Sequence, residues 1–216
     1  MFNVDFDKCR VVDLTRELIP GKEKRRLQIK RGLIPKDDTF MHEIDTMSHI
    51  GTHVEAPSHF FEKGKDVTDL PVSQFMGKAR LVDVDFVEPH QPITPDFLEK
   101  AVGGAKDVEV IILRNIKKSQ FLEESKNRHY LTVEGARWLA SKSIKMLVFD
   151  NSFATGKDKD QTRRTHEILL GKDVILVEQV DNLDQIRKKE VYFMALPLRI
   201  KGLDSSPVRA IVIEPE

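Results

Sequence analysis

Between residues 79 and 214 the chain alternates short β-rich runs with helix signals, and few folds accommodate that order. The runs are ARLVDVDFV (79–87), VEVIIL (108–113), IKMLVFD (144–150), DVILVE (173–178), VYFMALPL (191–198) and VRAIVIE (208–214). Valine, isoleucine and aromatic residues dominate them, and their lengths suit strands. TPDFLEKAVGG predicts a helix with Thr94 as N-cap, Pro95 at its first position and glycine at its end. TVEGARWLASKS opens on Thr132 with Glu134 in its first turn, and TRRTHEILLGKD ends at Gly171. Three strand–helix pairs followed by three strands predict an α/β layered domain with a mixed sheet. The first ~75 residues are less regular on the same pattern test. No Pro/Gly/Ser-rich linker intervenes, so residues 1–216 are expected to form a single domain.

Charge and cysteine usage exclude several classes. The 35 Lys+Arg balance the 35 Asp+Glu, which gives no electrostatic case for nucleic acid or an anionic membrane surface. The short basic clusters at Lys22–Arg26 and Arg187–Lys189 read as solvated faces. One cysteine, Cys9, forbids an intrachain disulfide and any multi-cysteine zinc site. No apolar run approaches the ~20 residues of a membrane helix. The start, MFNVDFDKCRVVDL, has no basic segment followed by an apolar one. A soluble, cytoplasmic protein is expected.

The candidate chemistry lies in MSHIGTHVEAPSHFF, Met47–Phe61, which holds three of the seven histidines. A helix would put His49 and His53 on one face but turn Glu55 about 200° away, and Gly51 and Pro57 disfavour a helix. In an extended chain His49, His53, Glu55 and His59 share one parity and one side. Gly51 and Pro57 then read as bends that curl the segment around a point. A single histidine in a polar loop is most often a solvated surface residue. Three at one parity around a carboxylate point instead to a nitrogen/oxygen metal site for zinc, manganese or another first-row divalent ion.

The segment HIGTHVEAPSH resembles the signature His-x-Gly-Thr-His-x-Asp-x-Pro-x-His of the cyclase family of metal-dependent hydrolases, of the kynurenine formamidase and isatin hydrolase kind. It matches at His49, Gly51, Thr52, His53, Pro57 and His59, with Glu55 where aspartate is usual. The resemblance extends to VVDLTRELIPG, YLTVEGARWLASKSIKMLVFDNSF, HEILLGKDVILVEQVDNL and ALPLRIKGLDSSPVRAIVIEP, most of the chain. It implies a swivelling β/β/α layered domain. It also implies that His49, His53 and Glu55 ligate a first metal, with Glu55 able to bridge to a second held by His166 and Glu178. One or two Zn²⁺ or Mn²⁺ ions per subunit are expected, and His59 matches the catalytic histidine. Without the resemblance, His166 reads as a helix residue beside Leu169 and Leu170, and Glu178 as a strand-end charge. His42, His90 and His129 have no counterpart in the motif and read as surface residues. Asp150, Asn151 and Ser152 follow an apolar strand and read equally as a turn or as neighbours of the site.

The implied reaction is hydrolysis of a formamide, amide or cyclic amide C–N bond by a metal-activated water, with His59 moving protons. A lactone hydrolase, a dehydratase or cyclase, and a non-catalytic metal binder are the alternatives. His59 favours an enzyme, because it exceeds what one metal needs. Two segments depart from the family pattern. KEKRRLQIKRGL (22–33) is basic where the family carries an aromatic-Pro-Gly-Asp segment, and NIKKSQFLEESKNRHY (115–130) lacks an aromatic at its start. A pocket lined by those lysines and arginines would suit an acidic small-molecule substrate; solvent or a partner subunit would suit them equally. The resemblance, with an irregular first third that needs something to pack on, implies a homodimer or homotetramer.

Overall fold

A computed structural model describes residues 8–103, 107–116 and 127–215. Strands β1 (Cys9–Asp13), β2 (Leu27–Leu33), β3 (Phe40–Thr46) and β4 (His53–Glu55) occupy the first third. Then come β5 (Met76–Val84), β6 (Pro92–Ile93), α1 (Pro95–Val102), β7 (Val110–Asn115), β8 (His129–Leu131) and α2 (Val133–Ser141). The remainder is β9 (Met146–Phe149), β10 (Phe153–Ala154), α3 (Lys159–Leu170), β11 (Ile175–Glu178), β12 (Glu190–Pro197) and β13 (Ser205–Pro215). Each strand expected from sequence is present, with ends displaced by a few residues. The helix caps also fall where expected. The side chain of Thr94 accepts from the Phe97 amide and that of Thr132 from the Gly135 amide. The third helix starts earlier than its apolar pattern indicates, because Asp158 caps it through the Gln161 amide.

The main sheet has eight strands in the order β1-β13-β12-β5-β7-β9-β11-β4, and β4 also pairs with β13. That last pairing closes the sheet on itself. It is mixed: β5, β7, β9 and β11 run parallel, while β12, β13, β4 and β1 join antiparallel. Alternate residues feed two cores, as the two-residue period of a strand requires. Val54, Val148, Val177, Ile112, Leu81, Phe193 and Ala210 fill the inside of the closed sheet. Leu147, Phe149, Ile111, Leu113 and Leu176 face outward and pack with Leu98, Leu139 and Leu169 of the three helices. Strands β7 and β9 are therefore apolar on both faces, which is why their sequences read as unbroken hydrophobic runs.

Two smaller sheets stand apart. β10, β8 and β6 form a short parallel sheet, and β2 with β3 forms an antiparallel hairpin. The hairpin is almost wholly exposed, and the apolar positions of its strands are interrupted by Arg31 and His42, so its sequence announces strands weakly. Its basic strand is matched across the ladder. Arg26 pairs with Asp45, Lys30 with Glu43, and the Arg31 guanidinium lies 3.6 Å over the Phe40 ring. Among the described residues no helix is long and apolar enough to cross a membrane.

Glu214, near the end of β13, ties the closed sheet to the loop before β12. Its carboxylate accepts from the backbone amides of Arg187 at 2.6 Å and Lys188 at 2.8 Å, and from Arg10 at 2.6 Å. Burial alone would raise its pKa; the amides and the guanidinium outweigh that and hold it below the ordinary range. Glu214→Ala should lose about 1–3 kcal/mol in urea denaturation at neutral pH, the usual penalty for orphaned buried partners. A carboxyl with a depressed folded pKa contributes its stability above the unfolded value and loses it as pH falls. The gap between wild type and variant should therefore narrow below about pH 4.

Candidate metal centre

The histidine-rich segment is placed by one strand and two bends. β4 lies between β11 and β13, with His53 opposite Glu178 and Pro207, and Glu55 opposite Leu176 and Ser205. His53 and Glu55, two residues apart, share the outward face, the face that Leu176 gives to the helix-side core. α3 packs over that face and brings His166 onto it. Strand parity thus accounts only for His53 and Glu55. His49 arrives through Gly51, which turns in the left-handed region at φ 57°. His59 arrives through a 3₁₀ turn over Pro57–His59. The expectation of bends at Gly51 and Pro57 describes the chain better than an extended run does.

Glu55 is the hub. Its Oε1 lies 3.0 Å from His49 Nδ1, 3.6 Å from His53 Nε2 and 3.8 Å from His59 Nε2, and its Oε2 lies 3.3 Å from His166 Nε2. The far nitrogen of each ring is held elsewhere. His53 Nδ1 donates to the Gly51 carbonyl at 2.7 Å and His166 Nδ1 to the Thr162 carbonyl at 2.6 Å. His49 Nε2 and His59 Nδ1 both reach Asp204 Oδ2, at 2.8 and 2.9 Å. In a neutral ring a proton on the far nitrogen leaves the near nitrogen as a lone pair; in a protonated ring the near nitrogen donates as well. Four near nitrogens therefore face one carboxylate.

The charge balance of the cluster suits a cation. Burial would raise the Glu55 carboxyl, but hydrogen bonds from His166 and His53 and the neighbouring imidazole charges hold it down at about 2. Burial and the charge of Glu55 push Glu178 the other way, up to about 7. Burial opposes protonation of His53 and His166, yet Glu55 and Glu178 outweigh it and raise both. With the His166 ring neutral and its proton on Nδ1, Glu55 Oε2 is buried without a hydrogen-bond partner. An orphaned carboxylate oxygen among imidazole nitrogens fits a divalent ion.

All the residues expected at the site come together, in a somewhat different grouping. Ligand atoms of His53, Glu55 and Glu178 lie within 4.8 Å of one another, and so do those of His49, Glu55 and His59. The Cyclase family model matches residues 12–154. A kynurenine formamidase of Bacillus thuringiensis (strain Al Hakam) is 33% identical over 168 residues, 77% of each chain. The Bacillus anthracis kynurenine formamidase is 32% identical over the same share. The chain belongs to the cyclase family. Solved structures share the cyclase fold at lower identity. Isatin hydrolase A from Labrenzia aggregata superposes with a TM-score of 0.78 at 20% identity, covering 98% of this chain and 96% of its own. A potential metal-dependent hydrolase with cyclase activity superposes at 0.73 with 24% identity, covering 96% and 99%.

Several readings change in this cyclase-family structure. His129, expected at the surface, is buried at the centre of the small sheet. It packs against Phe86 and Phe153, and burial lowers its pKa. The two-residue strands around it carry too little pattern to show it as interior. His42 and His90 are exposed as expected. Asp150 and Ser152 form a turn, the Asp150 carboxylate accepting from the Ser152 amide at 2.8 Å. Asp204 was missed; an aspartate in a Gly/Ser-rich turn carries no periodic signal, and only the fold brings it to His49 and His59. In the basic segment 22–33, Arg26 and Lys30 are committed to the hairpin's ion pairs and Arg31 to the Phe40 ring. Of it, Arg25 reaches the site's backbone, donating to the His49 carbonyl. Residues 117–126 of the divergent segment after Arg114 lie outside the described residues.

Gly51 carries the bend on which His49 depends. A Cβ there would approach Leu18 Cδ2 to 2.6 Å, and φ is in the region that side chains disfavour. Gly51→Ala should destabilise by about 1–2 kcal/mol from the backbone alone. Urea denaturation checks it, and a change within ±0.3 kcal/mol, about the size of a neutral surface substitution, would contradict the bend's role.

Proposed function

We propose that residues 1–216 act as one cyclase-family hydrolase domain that cleaves a formamide, amide or cyclic amide C–N bond, arylformamidase-like in reaction class. The observation that carries this reading is the convergence of four oriented imidazoles and Glu178 on the buried carboxylate of Glu55. The kynurenine formamidase and isatin hydrolase names of its relatives support the same bond type. His49, His53, Glu55, His166 and Glu178 would hold the one or two divalent ions, zinc or manganese, that this reading requires. Bound there, such an ion supplies Lewis-acid activation of water and of a carbonyl oxygen.

The chain's own contribution is orientation and proton transfer. His59 is the most open of the four imidazoles, with 28% of its side chain exposed against 15% for His49, 8% for His166 and 1% for His53. It is therefore the ring that substrate can reach. Its Nδ1 proton is held by Asp204, so Nε2 is free to take a proton from water and return it to the leaving nitrogen. Phe60 stacks on His166 at 4.7 Å and shields that side of the site from solvent.

Protein purified without chelator should contain about one to two equivalents of zinc or manganese. His59→Ala should keep that metal and lose about 10²–10⁴-fold in turnover on its best substrate from a panel of formamides, cyclic amides and lactones. Metal loss in His59→Ala makes His59 a ligand, and protein that cannot be loaded removes the hydrolase reading.

The same reading includes a small-molecule substrate, no nucleic acid, a homodimer or dimer of dimers, and a place in the cytoplasm, a reducing compartment that a single cysteine allows. The hairpin supports self-association. Ile29 faces Ile44 and Leu33 faces Phe40 on one side of it, and Phe40 and Ile44 are each 66% exposed. A two-stranded hairpin with an apolar face is marginal in water unless something covers it. Light scattering should give a dimer or tetramer, and Ile44→Asp should shift it toward monomer. A monomeric wild type at assay concentration contradicts it.

A further inference from the structure

We propose that Asp204 is a positioning residue that fixes the ring orientation and tautomer of both His49 and His59 through one carboxylate oxygen. The proposal deepens the hydrolase reading and rests on it for the roles of the two histidines.

The four imidazoles around Glu55 are anchored in two ways. His53 and His166 give their far protons to backbone carbonyls, Gly51 and Thr162, which the strand entry and the helix hold in place. His49 and His59 have no such carbonyl. Their rings stand 4.3 Å apart, tilted by 46°, and both turn their far nitrogens to Asp204 Oδ2. The other oxygen, Oδ1, accepts from the Ser48 hydroxyl at 3.2 Å. A shared acceptor forces a consistent choice. With the proton of His59 on Nδ1, its Nε2 faces Glu55; with the proton of His49 on Nε2, its Nδ1 does.

Asp204 can do this because its own position is fixed from several sides. Its carbonyl accepts from the Ala56 amide at 2.8 Å, which continues the β13–β4 ladder past Glu55. The turn before it is tied down by Asp66, which accepts from the Gly202 amide at 2.8 Å and pairs with Lys201 at 3.0 Å. The Val67 amide donates to the Leu203 carbonyl at 3.0 Å. The hub Glu55 and the anchor Asp204 thus sit on neighbouring rungs of one ladder, with His49 and His59 between their carboxylates.

The test uses full-length Asp204→Ala and Asp204→Asn. Asparagine keeps an oxygen with two lone pairs and so retains the anchor, while alanine removes it. In Asp204→Ala, Zn²⁺ affinity measured by chelator competition should fall about 10–100-fold, as for lost partners behind a metal ligand. Turnover should fall while KM stays within about threefold, because orientation rather than substrate binding is lost. Asparagine should recover most of both. Ring-nitrogen NMR of metal-free protein, above the imidazole titration range, should show His59 as the Nδ1–H tautomer in wild type and Asp204→Asn, and as a mixture in Asp204→Ala.

An unchanged His59 tautomer together with Zn²⁺ affinity within about twofold of wild type in Asp204→Ala overturns the proposal. Loss of metal from Asp204→Asn as complete as from His53→Ala makes Asp204 a ligand and overturns it too. Should Asp204→Ala fail to fold, the asparagine variant decides by the same two readouts. Wild-type protein that binds neither Zn²⁺ nor Mn²⁺ overturns the hydrolase reading instead, and the metal-free spectra still decide the anchoring role.

Discussion

A carboxylate in the wall of a closed sheet has to be compensated, and much of this structure answers to that requirement. Glu55 belongs to the only described strand that pairs with both β11 and β13, so the residue that closes the sheet is also the residue that carries the charge. An ionised carboxylate removed from water is unfavourable by several kcal/mol or more unless it is paired and hydrogen-bonded. Here the compensation comes from four imidazoles delivered by a left-handed bend, the strand itself, a 3₁₀ turn and a helix. Closing the sheet and assembling the site are therefore one event in the fold.

Four imidazoles leave repulsion between the two carboxylates, and the imbalance falls on Glu178. Glu178, half-buried beside the buried Glu55 carboxylate, is the one driven toward its neutral form. A divalent ion relieves the repulsion that the four imidazoles leave. This separates the centre from an ordinary buried ion-pair network, in which the groups would satisfy one another. The orphaned Oε2 of Glu55 makes the same point from hydrogen bonding rather than charge.

What was legible in the sequence follows from where burial acts. Six strands of the closed sheet were readable because each is buried on at least one face, and β7 and β9 on both, whereas β1 is largely half-exposed and β4 is three residues long. Helix caps were readable because Thr94 and Thr132 act locally. The hairpin was not, since its apolar positions are broken by Arg31 and His42, and β6, β8 and β10 are too short to carry a period. At the site, His49, His53, Glu55 and His59 could be grouped from spacing alone. His166 and Glu178 needed the family resemblance, because each looks like an ordinary helix or strand-end residue. Asp204 was beyond both, as its role depends on a ladder rung between segments about 150 residues apart.

Every atom that points at Glu55 is fixed by a strand, a helix, a short turn or the pinned Asp204 loop, which leaves little freedom to vary. In the basic segment 22–33, Arg26 and Lys30 pair across the hairpin with Asp45 and Glu43, and Arg31 lies over Phe40. Residues 15–25, which overlap its start, reach the centre from that side. The Arg16 amide donates to Thr52, Leu18 packs on Gly51, and Arg25 holds the His49 carbonyl. Changes in residues 15–25 therefore act on the bend at His49–Thr52, and through His49 on the ring that lies 3.0 Å from Glu55.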